Sequence, residues 1–229
     1  MFHLQEDQRH CYCNIPAMNL FDPDCKLCPR LARHLSQVKA EFPGYHARPV
    51  ASFGVERPRL LIVGLAPGMH GANASGRPFT GDYAGILLYE TLHKFGFSNK
   101  PESLSVGDGL LLKHCRITNA IKCLPPENKP LTSEINTCNR FLEAELRAIP
   151  HDGVILALGR IAHNAVLKAF KLRQTAYLFG HGNIHQLANR IRLIDSYHCS
   201  RYNTQTGRLT VEMFRDIFYK IHEILSISI

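Results

Sequence analysis

No apolar run in this 229-residue chain approaches the length of a membrane span. The longest, "GVILALG" and "GILLYETL", fall far short of the roughly 20 residues that cross a bilayer as a helix. The opening stretch "MFHLQEDQRHCYC" carries two acids and no apolar segment of the kind a secretory leader requires. Low-complexity tracts are missing, and charged residues make up 20% against 45% hydrophobic, a balance that excludes intrinsic disorder. The expectation is a soluble cytoplasmic protein long enough to bury a sizeable core. The chain also has no block of consecutive basic residues, so any polyanion-binding face has to be assembled by folding.

Basic residues nevertheless exceed acidic ones, 27 Lys and Arg against 19 Asp and Glu, for a formal charge of +8. That excess fits either a solvated basic surface or a polyanionic partner whose counterions are displaced on binding. Charge alone does not separate nucleic acid from acidic lipid or acidic protein.

Eight cysteines stand at positions 11, 13, 25, 28, 115, 123, 138 and 199. Without a secretory leader, metal or cluster chemistry explains them better than disulfides do. "CKLC" supplies Cys25 and Cys28 from one tight turn, and "CLPPENKPLTSEINTC" supplies Cys123 and Cys138 from a distant loop. Four such thiolates form a cage that zinc or an iron–sulfur cluster would accept; the alternative is that they are small buried hydrophobes. Cys115, inside "HCRITNAI", reads as core, whereas Cys11 and Cys13 form a pair with no further ligands nearby.

Four short runs rich in Val, Ile and Leu, at 59–65, 114–121, 153–159 and 191–198, are apolar at their centres, as strands covered on both faces must be. Helical patterns alternate with them: "YAGILLYETLHKFGF", "SEINTCNRFLEAELRAI", "RIAHNAVLKAFKL" and "TVEMFRDIFYKIHEIL". Thr132 and Ser133 offer caps for the second of these. Strand–helix alternation implies right-handed crossovers and an α/β fold, a three-layer α/β/α sandwich around a central, mainly parallel four-stranded sheet. No linker divides residues 1–229, which read as a single domain. Residues 1–50 lack a convincing strand and read as an N-terminal segment fastened by Cys25 and Cys28 to the 123–138 loop.

The stretch "GLAPGMHGANASGRPFTGD", Gly64 to Asp82, follows the first strand directly and holds five glycines. Neither GKS nor GKT follows it, and it lacks GxGxxG spacing, so nucleotide-triphosphate and dinucleotide binding are both disfavoured. Its glycines either shape a turn or let backbone N–H groups approach a ligand. In an open parallel sheet, ligands bind beyond the carboxyl ends of the strands. That rule draws His70, Asn73 and Asp82 of this loop toward Asn119, at the end of the second strand, and His198, after the fourth. Individually each has a plainer role, such as turn residue, structural histidine or N-cap for a helix from Tyr83. Their convergence on one rim is what points to a site.

Three segments, "GLAPGMHGANASGRPFTGD", "ITNAIKCLPPENKP" and "YHCSRYNTQTGRLT", resemble the signature segments of the uracil-DNA glycosylase superfamily. They are most similar to family 5, the B-type iron–sulfur enzymes, in order and spacing from about Cys25 to the last helix. The resemblance implies a [4Fe–4S] cluster on Cys25, Cys28, Cys123 and Cys138, structural rather than catalytic. It further implies a partner, DNA containing uracil or other damaged bases, acted on near the nucleoid by a monomer that takes the nucleotide out of the stack. Ala66, Gly68, His70, Gly71, Arg77 and Phe79 would lie over the base and sugar, with Phe79 stacking on the base instead of packing in the core. Asn119 would read the pyrimidine edge, its amide offering donor and acceptor to O4 and N3–H. His198 would hydrogen-bond the uracil anion at O2 as the bond to the sugar breaks. Ser200, Arg201, Asn203 and Arg208 would grip phosphates or fill the space left by the flipped base; otherwise they form an ordinary basic loop.

Two positions depart from the family pattern. Family 5 is expected to position water with a polar residue late in the first segment; here Asn73 holds that position and is favoured slightly over Asp82, although an amide orients water without acting as a base. Cys199 stands where the third segment usually has proline, which loosens φ after His198. Three readings follow from different classes. The first is a glycosylase hydrolysing the N-glycosidic bond of uracil, and of other deaminated bases, in DNA. The second is an iron–sulfur or zinc nucleic-acid-binding module that is catalytically weak. The third is a redox protein, for which no flavin or ferredoxin motif is present.

Overall fold

The structure, a computed structural model, describes residues 21–226, so Cys11 and Cys13 lie outside the described residues. The four Val/Ile/Leu-rich runs form parallel strands β2 (Leu60–Gly64), β3 (Cys115–Asn119), β4 (Val154–Leu158) and β6 (Arg192–Ser196). They pair in the spatial order β3-β2-β4-β6. Two short antiparallel strands extend the edges, β1 (Phe53–Gly54) against β3 and β5 (Ile184–Gln186) against β6. The sheet therefore has six strands rather than four. The edge strands have two and three residues, too few for an apolar run to register.

Side chains of the central strands alternate between two cores, which makes the three layers. Leu60, Ile62, Ile117, Leu156 and Ile194 pack with Leu88 and Leu92 of α3 (Tyr83–Lys94) and with Phe214 and Phe218 of α7 (Val211–Leu225). Leu61, Val63, Ile155 and Leu193 face the other way, onto Leu142 of α4 (Thr132–Leu146) and Val166 of α5 (Arg160–Ala169). Helix α4 has no side-chain cap at Thr132 or Ser133; the Glu134 carboxylate reaches back and accepts from the Leu131 N–H at 2.8 Å.

The N-terminal segment has its own helix, α1 (Pro29–Glu41), opened by a proline whose missing N–H costs nothing in a first turn. Leu31, Leu35 and Val38 recur on one face and pack against Ile121, Leu124 and Phe141. Arg30 adds a two-pronged bond to Glu134, 2.8 Å on each prong. After α1 the chain runs alongside the Gly64–Asp82 loop, where the His46 and Ala47 N–H groups donate to the carbonyls of Ala74 and Asn73 at 2.9 and 3.0 Å. Among the described residues no helix is long and apolar enough to cross a membrane.

Leu156, fully buried on a central strand, tests this packing. Leu156→Ala is expected to lower unfolding free energy by about 2–5 kcal/mol, through lost burial and the cavity left behind, in urea denaturation followed by circular dichroism.

Candidate active site

The loop leaving β2 folds back on itself through one turn of helix, α2 (Ala72–Ser75), and ends at Asp82, the N-cap of α3. Its glycines serve close approach among the protein's own groups. A Cβ on Gly64 would sit 2.4 Å from Asn119 Oδ1 and 2.8 Å from the Phe79 ring, and one on Gly71 would sit 2.5 Å from Asp82 Oδ2. Bare backbone at these two points lets Asn119, Phe79 and Asp82 pack where they do. Phe79 itself has φ 55°, a left-handed conformation that a bulky residue adopts only when its surroundings enforce it.

Around Phe79 the polar groups gather. Its ring stacks on His198, centroids 5.8 Å apart and planes 26° from parallel. Asn119 lies against it across Gly64, buried, and Asn119 Oδ1 has no hydrogen-bond partner. An orphaned acceptor of that kind costs free energy unless a ligand or water donates to it. Asp82 Oδ1 accepts from the Gly85 N–H at 3.1 Å, so the capping role is real, while Oδ2 lies over Gly71 and Gly68. Burial pushes the Asp82 carboxyl up, against the pull of the Gly85 and Ala84 N–H groups. Burial likewise pushes His198 down to about 4, which leaves the imidazole neutral near pH 7. Cys199, fully buried in the core and close enough to feel the Asp82 charge, occupies the position after it. Firmness that a proline would lend comes from Asn203, whose Nδ2 donates to the His198 carbonyl at 2.8 Å. Ser200 caps the short helix α6 (Arg201–Gln205).

Other expected residues stand apart. Arg77 is turned inward: it is 4% exposed and donates to both oxygens of Asp108, to Ser103 and to the Val106 carbonyl, with its guanidinium over Phe53. A remote carboxylate, out of reach of local sequence reasoning, engages its charge. Asn73 is fully buried with neither amide atom partnered, on the side of the loop held by the N-terminal segment. His70 is exposed and meets Tyr45 Oη at 2.8 Å, and Ala66 packs toward α1.

Beside His198 opens a cleft of about 260 Å³ lined by Gly159, Arg160, Phe179, Gly180, Tyr197, Asn203 and Arg208. Arg208 lies over the Tyr197 ring, Arg160 over Phe179 and Arg201 over Tyr83, at 4.6, 5.6 and 5.1 Å. Gly159 and Arg160 were missed by sequence reasoning although they follow a parallel strand directly, the signal that found Asn119. Phe179 and Gly180 follow no strand and carried no signal.

Cys25, Cys28, Cys123 and Cys138 line a single cavity between α1 and α4. Burial and the neighbouring thiols push Cys123 up, and burial pushes Cys138 to about 11. Cys28, Cys123 and Cys138 so placed resist ionisation until a cationic centre joins them, and the Lys122 N–H already donates to Cys138 Sγ at 3.3 Å.

Comparison with known proteins bears on this arrangement. The family model described as the uracil DNA glycosylase superfamily matches residues 51–222. The chain is 50% identical over 198 residues to a type-5 uracil-DNA glycosylase of Thermus thermophilus, covering 84% of this chain and 90% of that protein. It is 41% identical over 224 residues to a type-5 uracil-DNA glycosylase of Mycobacterium bovis, covering 94% and 83%. A type-5 uracil-DNA glycosylase of Pyrobaculum aerophilum is 42% identical over 198 residues, covering 85% and 86%.

The depressed His198 pKa has a measurable sign. As pH falls below the ordinary histidine value of about 6.5, the unfolded chain takes up this proton before the folded one. Stability linked to His198 is therefore complete above about 6.5 and is lost progressively toward about 4. NMR titration of the ring is expected to show a midpoint near 4; a midpoint at 6 or above contradicts the burial argument.

Proposed function

We propose that this chain, which belongs to the uracil-DNA glycosylase superfamily, removes uracil from DNA by hydrolysing the N-glycosidic bond, leaving an abasic site. It is a DNA-repair enzyme, and the observation that carries its base specificity is the orphaned Asn119 Oδ1 beside Phe79 and His198. A pyrimidine turned out of the helix would lay its face on Phe79 and give its N3–H to that oxygen, while the Asn119 amide donates to O4. Cytosine, with an unprotonated N3 and an amino group at position 4, would mismatch both.

Catalysis follows the charge. As C1′–N1 breaks, the electron pair leaves with the base, and the sugar becomes oxocarbenium-like. A neutral His198 donates its N–H to O2 of the departing anion in a pocket poor in water, where an aimed donor is worth far more than in solvent. Water then adds to C1′, and its proton passes to a nearby base. We assign that role to Asp82 rather than Asn73, because its Oδ2 lies over the glycine loop and a carboxylate accepts a proton where an amide does not. A carboxyl with raised pKa is matched to this work, and activity is lost as pH falls through that value because only the ionised form accepts the proton.

A [4Fe–4S] cluster on Cys25, Cys28, Cys123 and Cys138 belongs to the same reading, supported by the single cavity that the four cysteines line. When bound, it supplies thiolate–iron bonds that fasten residues 1–50 to the rest of a single domain and takes no part in bond cleavage. Ser200, Asn203, Arg201 and Arg208 would face the phosphates. The protein is read as a cytoplasmic monomer acting on DNA with uracil or related deaminated bases.

A labelled uracil-containing duplex, treated with enzyme and then alkali, tests the activity. Strand breaks are expected at uracil and not at cytosine; tight binding without breaks would instead mark a catalytically inert DNA-binding module. His198→Ala and Asn119→Ala are each expected to lower kcat by about 10²–10³ with folding retained. Asp82→Asn is expected to remove the acidic limb of the pH–rate profile along with most of the activity.

The cluster has its own test. Cys25→Ser is expected to lose visible absorbance and bound iron, about four atoms per chain in the unaltered protein, together with solubility. A soluble, colourless and active Cys25→Ser would remove the fastening role.

A further inference from the structure

Behind Phe179 and Gly180, which line the cleft beside His198, lies a buried polar cluster that the mechanism does not use. His163 of α5 and Asp195 of β6 are each 0% exposed. His163 Nδ1 lies 2.7 Å from Asp195 Oδ1, and His163 Nε2 lies 2.9 Å from the Tyr177 carbonyl. The other carboxylate oxygen, Oδ2, accepts from the Gly180 N–H and from His185 Nε2, each at 3.3 Å.

Counting protons decides what this cluster is. A carbonyl oxygen only accepts, so Nε2 of His163 carries hydrogen. A second hydrogen lies between Nδ1 and Oδ1, since two bare lone pairs would repel at that distance. Ligand atoms of His163, His185 and Asp195 do lie within 4.8 Å of one another. A cation bound by both Nδ1 and Oδ1 would nevertheless spread them to about 3.3 Å, given metal–ligand bonds near 2 Å. With its hydrogen-bonding positions occupied, the cluster is a brace and not a metal site.

The braced segment, residues 177–183, has no regular structure of its own. Gly182 donates to the Asp195 carbonyl at 2.8 Å, and Asp195 donates to the Asn183 carbonyl at 3.0 Å. His181 Nδ1 accepts from the Tyr197 N–H at 3.2 Å, and its ring stacks on Tyr197. Phe179 touches the His163 ring edge-on at 5.7 Å. Phe179 and Gly180 are thereby presented to the cleft that holds His198, Arg160 and Arg208.

We propose that His163, Asp195 and His185 are positioning residues that pre-form the Phe179–His181 wall, against which the deoxyribose-phosphate backbone beside the extruded nucleotide seats. This rests on the glycosylase reading above. An irregular segment that had to order itself on binding would charge that entropy to affinity, whereas one locked by buried hydrogen bonds does not.

Steady-state kinetics on the uracil duplex and amide hydrogen exchange on the free protein together test it. His163→Gln offers only one of the two donors, and Asp195→Ala removes both carboxylate acceptors. Each is expected to raise KM about tenfold with kcat changed less than twofold. Exchange of the 178–183 amides is expected to quicken while strand β4 stays protected. His185→Gln keeps a donor toward Asp195 and is expected to restore most of what His185→Ala loses, a pair that carries the test should the buried variants fail to fold. Unchanged exchange at 178–183, or a fall in kcat at unchanged KM, overturns the proposal. Because exchange is read without substrate, its outcome stands apart from whether the unaltered protein cleaves uracil duplexes.

Discussion

Desolvation at the carboxyl rim of the parallel sheet sets the character of the site. Strands β2, β3, β4 and β6 are so fully covered that the groups at their ends are drawn out of water with them, and the rim becomes a place where polar atoms have few competitors. Asn119 loses a partner there, His198 loses its proton and Asp82 is made a weaker acid. In the mechanism we propose, each change suits a step in removing a pyrimidine: reading an N–H, donating to an anion as a neutral ring, and taking a proton from water. One physical cause, low local polarity, prepares three groups of different chemistry.

The N-terminal segment bears on the same rim from outside. Its helix is held at one end by Arg30 on Glu134 and lies against the cavity of the four cysteines. At its other end Tyr45, His46 and Ala47 touch His70, Ala74 and Asn73 of the glycine loop. A segment with few apolar residues thus links the cysteine cavity to the backbone from which Asp82 and Phe79 are presented. The buried Asn73 lies at that junction.

Much of this was legible in the chain because it depends on local pattern. Val, Ile and Leu runs marked the four parallel strands, and strand ends marked Asn119 and His198, since topology places such residues on a common edge. What escaped depends on contacts distant in sequence. Arg77 reads as a cation for DNA until Asp108 is found against it, 31 residues on. Asp195 and His163 sit within apolar stretches and look like isolated polar residues until the fold joins them. Phe179 and Gly180 owe their place in the cleft to that pairing and to no pattern of their own. The edge strands were too short to show a period at all.

The arginines around the cleft are parked on aromatic rings. Among the described residues, ion pairs engage Arg30, Arg48, Arg77, Arg147 and Arg190, but not Arg160, Arg201 or Arg208. A carboxylate would have steadied these three at the expense of their field; Phe179, Tyr83 and Tyr197 steady them while leaving the positive charge uncancelled. In the proposed reading, approaching DNA meets cations that need neither be released from an acid nor gathered from free rotation, and its own condensed ions are what must depart.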